Sequence, residues 1–250
     1  MLRSFYKIEP SSFVTDIVTH DYRTAEVFRK YDIDFCCGGK WPLDVACENR
    51  NLNTENIIEE LRKIVRQSAS NAALDFDDWD IDFLADYILN VHHRYLKKAL
   101  PETKEQVNKF LDGHRKKFPD LEEIETIMNR FMKEIPPHMK QEEEMFFPYI
   151  KQISHAYKHR ESYARLLIRT LRKPLEEVML KEHETTGSSL HRLRTITNNY
   201  TPPANTCITH KITFAKLKEL DTDLVQHIHL ESNILFPKAI GMEKELLQDK

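Results

Sequence analysis

Two segments of the chain, HMKQEEEMFFP beginning at His138 and HIHLESNILFP beginning at His227, share the pattern H-x-x-x-E-x-x-x-x-F-P. On an α-helix, residues four apart lie about 40° from each other around the axis and one turn apart along it. His138 is therefore set beside Glu142, and His227 beside Glu231. An imidazole and a carboxylate at that spacing can hold one metal ion, and the carboxylate can reach a second ion as a bridge. Inward-facing His and Glu side chains at short helical offsets build dinuclear iron or manganese sites inside bundles. One such pair would fit many solvated helix faces. Two solvated faces, however, have no reason to share the registration of His, Glu, Phe and Pro.

Each pair is preceded by a further histidine inside an apolar-periodic segment: His92-His93 in NVHHRYL and His183 in LKEHETTG. The order along the chain is His, His-x-x-x-Glu, His, His-x-x-x-Glu. Four imidazoles and two carboxylates can serve two irons with two His each and with Glu142 and Glu231 both bridging. A solvent-derived oxo or hydroxo bridge then leaves each iron near five-coordinate, with a position open to a small ligand such as O2 or NO. Mixed imidazole and carboxylate donors suit iron, zinc or manganese, whereas thiolate-rich sets favour zinc or iron–sulfur clusters. The reading is a non-haem di-iron centre, with zinc as the runner-up.

The remaining histidines carry less. His229 falls on nearly the opposite face from His227 and is left out. His191 is two turns after His183 without a partner. His155 and His159 are four apart in a heavily cationic run that reads as a solvated helix, and His20, His114 and His210 show no pattern. The two Phe-Pro tails read as structural, with Phe packing inward and Pro bending or ending the helix.

These residues need long helices to position them, and the composition supplies them. Among 250 residues only 5 are Gly, while 40% are apolar and 31% charged. This balance favours helix and argues against an all-β fold or a Gly-rich nucleotide loop. The formal charge of −3 makes no electrostatic case for nucleic acid or an anionic membrane. No apolar run is long enough to span a bilayer, and the first residues lack a secretory h-region, so a cytoplasmic location is the default. Four cysteines, Cys36, Cys37, Cys47 and Cys207, read as reduced thiols rather than a disulfide framework.

Residues 1–66 read as a small helical domain, interrupted by CCGG at 36–39 and closing with a helix from Asn53 to Arg66 capped by Thr54. Residues 67–78 read as a linker. Residues 79–250 carry four long helical patterns: 79–100 stopping at Pro101, 120–153 broken at Pro136-Pro137, 174–199 starting at Pro174, and 210–250. An additional charged helix falls at 155–172. Four amphipathic helices of this length predict an all-α, antiparallel four-helix bundle.

FRKYDIDFCCGGK, TNNYTPP and the two Phe-Pro endings together resemble the RIC family (repair of iron centres, also called ScdA/YtfE), in which a short Cys-Cys-Gly-Gly domain precedes a hemerythrin-like bundle. The resemblance covers most of the chain. Carried over by position, it places six iron ligands on His93, His138, Glu142, His183, His227 and Glu231, choosing His93 over His92 by its distance to the following Leu-Pro. Conventional hemerythrins use more His and a later Asp, a set this chain does not show. The charged segment 154–173 is absent from shorter relatives.

The resemblance implies repair of iron–sulfur clusters damaged by nitric oxide or peroxide, through donation of labile iron to damaged iron–sulfur proteins. Cys36 and Cys37 then act as thiolates in iron transfer, or else fill a tight turn, and a contact between two copies through them could make a homodimer. Reduction of NO or peroxide, and reversible O2 or NO sensing, are the competing readings of the same centre. No nucleic acid or membrane partner is expected.

Overall fold

A computed structural model describes residues 7–35, 40–66, 76–118 and 121–248, with the backbone alone described over 171–180. Cys36 and Cys37 lie outside the described residues, as does 67–75 of the expected linker. The described chain is helical, and its sole extended pairing is an isolated bridge between Phe13 and Pro42. Its packing falls into two units. One holds the chain up to Asp80 together with His229–Pro237, and the other holds Ile81–Ile228 and Lys238–Lys250.

In the first unit, helices α1 (Val14–His20), α2 (Ala25–Lys30), α3 (Leu43–Glu48) and α4 (Thr54–Arg66) close over Val14, Ile17, Phe28, Leu43, Ile57, Ile58 and Leu61, each at most 1% exposed. Asp21 separates α1 from the 3-10 turn before α2, accepting from the Arg23 amide and guanidinium at 3.2 and 2.8 Å. Asp32, in the left-handed region at φ 54°, ends α2 and lets the Ile33 amide reach the Phe28 carbonyl at 2.8 Å. Lys30 and Tyr31 tie α2 to Glu60 of α4. The cap of α4 is Asn53, not Thr54: the Asn53 side chain accepts from the Asn56 amide at 3.1 Å, and Thr54 is the first helical residue. Phe76 opens a 3-10 turn (Phe76–Asp78) and is buried against Tyr22 and Trp79, with ring centroids 5.4 and 4.8 Å away.

The second unit is built from four antiparallel helical rods. The first joins α5 (Ile81–Tyr87), a π turn (Ile88–His93) and α6 (Arg94–His114). The second joins α7 (Glu122–Gln141), a π turn (Glu142–Phe146) and α8 (Phe147–His159). The third is α9 (Ala164–Ile196). The fourth joins α10 (Ile208–Leu230), a π turn (Glu231–Leu235) and α11 (Phe236–Gln248), and its middle stretch, His229–Pro237, belongs to the first unit. Cross-rod pairs give the directions. Asp82–Lys158, Asp86–Lys151 and Lys97–Glu143 join the first two rods. Glu123–Arg192 and His138–Glu182 join the second and third. A two-pronged Arg194–Asp221 pair at 2.6 and 2.9 Å joins the third and fourth.

The prolines do not end helices where the sequence reading stops them. Pro101 lies inside α6, and Pro136 and Pro137 inside α7. A proline in a helix interior costs about 3 kcal/mol. Continuing α6 past Pro101 buries Val107, Phe110 and Leu111, at about 1.5–3 kcal/mol each, so burial wins. Pro174 likewise lies within α9, which begins ten residues earlier at Ala164. The charged segment 154–173 is therefore no separate helix. Its first residues finish α8, Arg160 turns the chain in the left-handed region at φ 52°, and the rest opens α9.

Candidate metal centre

The repeated segments place their glutamates at the same structural event. Glu142 and Glu231 each open a five-residue π turn, and in both cases the Phe-Pro pair follows it directly. A proline cannot donate to the carbonyl four residues back, and its ring crowds that carbonyl. The helix answers by widening by one residue rather than ending. Phe147 and Phe236 pack inward at 2% and 5% exposure, as expected of them. His93 closes the π turn of the first rod. Wide turns of this kind occur mainly as single bulges at functional positions.

Six side chains meet at this level. Atoms of His93, Glu142, His227 and Glu231 all lie within 4.8 Å of one another, and so do those of His138, Glu142, His183 and Glu231. The two groups share both carboxylates. His93 Nε2 is 3.1 Å from His227 Nε2, and His183 Nε2 is 3.3 Å from His138 Nε2. Glu142 turns one oxygen to each group: Oε2 lies 3.4 Å from His93 Nε2, and Oε1 lies 3.3 Å from His138 Nε2. Donors bound to one ion at about 2.1 Å stand roughly 3.0–3.5 Å apart, so these separations are those of neighbouring ligands. Glu142 and Glu231 are wholly buried. Buried carboxylates are expected on a cation or in a full hydrogen-bonding set, and a donor set of four imidazoles and two carboxylates suits first-row divalent metals.

Family models match the chain as the ScdA_N domain (DUF542) over residues 11–65 and as the hemerythrin HHE cation binding domain over residues 84–239. The chain is 34% identical over 224 residues to the iron-sulfur cluster repair protein YtfE of Escherichia coli, covering 88% of this chain and 93% of that one. It is 32% identical to a probable iron-sulfur cluster repair protein of Haemophilus influenzae, covering 86% and 91%. To the iron-sulfur cluster repair protein ScdA of Staphylococcus haemolyticus it is 28% identical, covering 92% and 99%. The chain belongs to the hemerythrin-type ScdA/YtfE family.

In this ScdA/YtfE chain a layer of carboxylates stands behind the imidazoles. Glu143 accepts from His93 Nδ1 at 2.9 Å and from Lys97 at 2.8 Å, and Glu182 accepts from His138 Nδ1 at 2.6 Å. An Nδ1–H committed to a carboxylate leaves the Nε2 lone pair facing the centre. Burial alone would raise the Glu143 carboxyl, but hydrogen bonds from Lys97 and His93 outweigh it and hold it below the usual range. His92 stacks beside His227, ring centroids 5.9 Å apart, with its Nδ1 on Asp223 at 2.9 Å, and His93 is the histidine of the first rod in the group. Glu143 adjoins Glu142 and Glu182 adjoins His183, yet nothing in their spacing marks them.

The two groups differ in access. Every member of the first is buried, while His138 in the second is partly exposed. A cleft of about 500 Å³ reaches His138 between Pro137, Gln141, Glu182 and Thr185. Of the histidines set aside in the sequence, His191, His155, His159 and His20 are exposed. His229 is buried and lies against Phe35, ring centroids 6.0 Å apart. Among the described residues no helix is long and apolar enough to cross a membrane.

Proposed function

We propose that His93, His138, Glu142, His183, His227 and Glu231 hold two iron ions as a di-iron centre, and that the chain repairs damaged iron–sulfur clusters by giving up that iron. The observation that carries the reading is the Glu142 carboxylate, with one oxygen toward each imidazole group. The repair role is supported by relatives, matching along most of the chain, that are iron-sulfur cluster repair proteins. Iron is here the cargo. Two carboxylates cannot neutralise two divalent or trivalent ions, so the set binds less tightly than a carboxylate-richer one.

The chain's own residues do four things. Glu143 and Glu182 fix the tautomers of His93 and His138 so that lone pairs are presented without reorganisation. Buried Phe147, stacked on His93 with centroids 5.4 Å apart, holds that ring and covers it. The cleft beside His138 gives the second position a way out. Cys36 and Cys37 are the thiolates that would take iron across to a client, in keeping with the affinity of soft donors for iron–sulfur chemistry.

The test loads the protein with ferrous iron and mixes it with an enzyme whose [4Fe–4S] cluster has been nitrosylated. Recovery of the enzyme in proportion to iron lost from the wild type, absent for Glu142→Ala/Glu231→Ala and weakened for Cys36→Ala/Cys37→Ala, supports the reading. Equal recovery with all three proteins sinks it. Catalytic consumption of NO with an electron donor, without loss of iron, would replace repair by reduction.

A further inference from the structure

A second chemically competent cluster lies at the junction of α6 and α10, away from the residues grouped around Glu142 and Glu231. Cys207 is exposed and immediately precedes α10. Its Sγ is 3.0 Å from Nε2 of His114, the last residue of α6. Nδ1 of His114 lies 2.8 Å from the Phe110 carbonyl. A carbonyl only accepts, so Nδ1 carries the hydrogen and Nε2 presents a lone pair to the thiol. The ring is further fixed by stacking on Phe110, centroids 4.9 Å apart. A nucleophile within reach of a base that a third group orients is the arrangement of an activated nucleophile.

The surroundings suit charge separation. The His210 amide, in the first turn of α10, points at Sγ from 3.4 Å, at the helix end that favours an anion. His114 stands at the opposite kind of end, which favours a cation. His210 adds an independent observation. Its side chain is fully buried, its Nδ1 is on Thr206 at 2.8 Å, and its Nε2 has no hydrogen-bond partner among the described residues. Such an orphaned buried nitrogen marks a polar site that the fold leaves incomplete. Burial, first of all, pushes the His210 pKa down, and the base beside the thiol is His114, whose Nε2 is the ring nitrogen within reach of Sγ.

We propose that Cys207 and His114 form a thiol-exchange site that captures low-molecular-weight disulfides, independent of the metal centre. The Cys207 proton passes to Nε2 of His114 and the thiolate attacks one sulfur of the disulfide. The Cys207–S–S–R bond forms as the reagent's S–S bond breaks, and the departing thiolate takes the proton back from the imidazolium as free thiol. The reagent disulfide is the only oxidant. The thiolate is the attacking species in any such exchange, so removing the base must slow the reaction.

The full-length reduced protein is mixed with glutathione disulfide, and adducts are quantified at each cysteine by peptide mass mapping over time. The expected result is modification of Cys207 at a rate that falls by at least about tenfold in His114→Ala, while buried Cys47 stays unmodified. Added imidazole should restore part of the lost rate in His114→Ala, which a merely structural defect would not allow. His114→Gln, which keeps a polar group against the Phe110 carbonyl, should be as slow as the alanine variant and guards against misfolding of the latter. An unmodified Cys207, an unchanged rate in both variants, or a loss that imidazole does not rescue each overturns the proposal.

Discussion

At the scale of single residues, the six members of the central cluster were readable because chemistry was written twice at one spacing. His138 with Glu142, and His227 with Glu231, needed only the helix period. His183 and the His92-His93 doublet followed from the order of the two halves. What spacing could not show was the partner layer, since Glu143, Glu182 and Asp223 act across rods. Nor could it show the Cys207–His114 pair, whose members are 93 apart in sequence. His229 illustrates the difference between a buried histidine and a ligand. Burial pushes its pKa down to about 4, with a hydrogen bond to the Phe35 backbone acting weakly the other way, against about 6.5 in an unfolded chain. As pH falls, the unfolded chain takes the proton first. Stability is therefore lost from about pH 6.5 down to about 4, a loss of about 3 kcal/mol. Urea unfolding of metal-free protein across that window should show a steeper fall for wild type than for His229→Phe. Parallel profiles would mean that the ring is hydrated in the folded state.

At the scale of elements, the period-3.6 pattern located the rods, while proline was the signal that misled. On local grounds Pro101, Pro136, Pro137 and Pro174 read as breaks or starts of helices, and each is carried inside one. Long-range burial, which a local rule does not see, decides those positions. Pro148 and Pro237 are the instructive pair, because their effect is neither to end the helix nor to leave it unchanged, but to set a π turn that opens at Glu142 and at Glu231. The turn decides which side of the rod the glutamate faces relative to the residues beyond it. Replacing both with Ala in Pro148→Ala/Pro237→Ala frees the helix to close into a regular α register. Helix content and melting temperature should hold or rise, since two interior prolines are gone. Metal affinity should fall by about tenfold or more, as for loss of an orienting partner, in chelator competition. Unchanged affinity would show that the wide turns persist without the prolines.

At the scale of the whole molecule, the four-rod plan was legible, and what no local pattern showed is the first unit's claim on a stretch near the far end of the chain. Sequence composition places the break at a small polar stretch, 67–78, yet Phe76 packs with Tyr22 and Trp79. The first unit also claims His229–Pro237 from the far end of the chain. Asn233 donates to the Phe35 carbonyl at 3.5 Å, and α1 packs on the turn Glu231–Leu235. The turn that carries Glu231 is thus braced by residues from the opposite terminus, a contact of long sequence separation that no local pattern encodes. Bracing a ligand-bearing turn narrows the geometries it samples, so binding requires less ordering. A chain beginning at Trp79 should keep its helices by circular dichroism while losing that brace. Its iron, followed with a chromogenic chelator, should then leave about tenfold faster than from the full chain, the scale on which a lost supporting contact acts on a metal site. Equal release rates from the two proteins would show that the fourth rod holds Glu231 in place by itself, and that the first unit's role is confined to its cysteines.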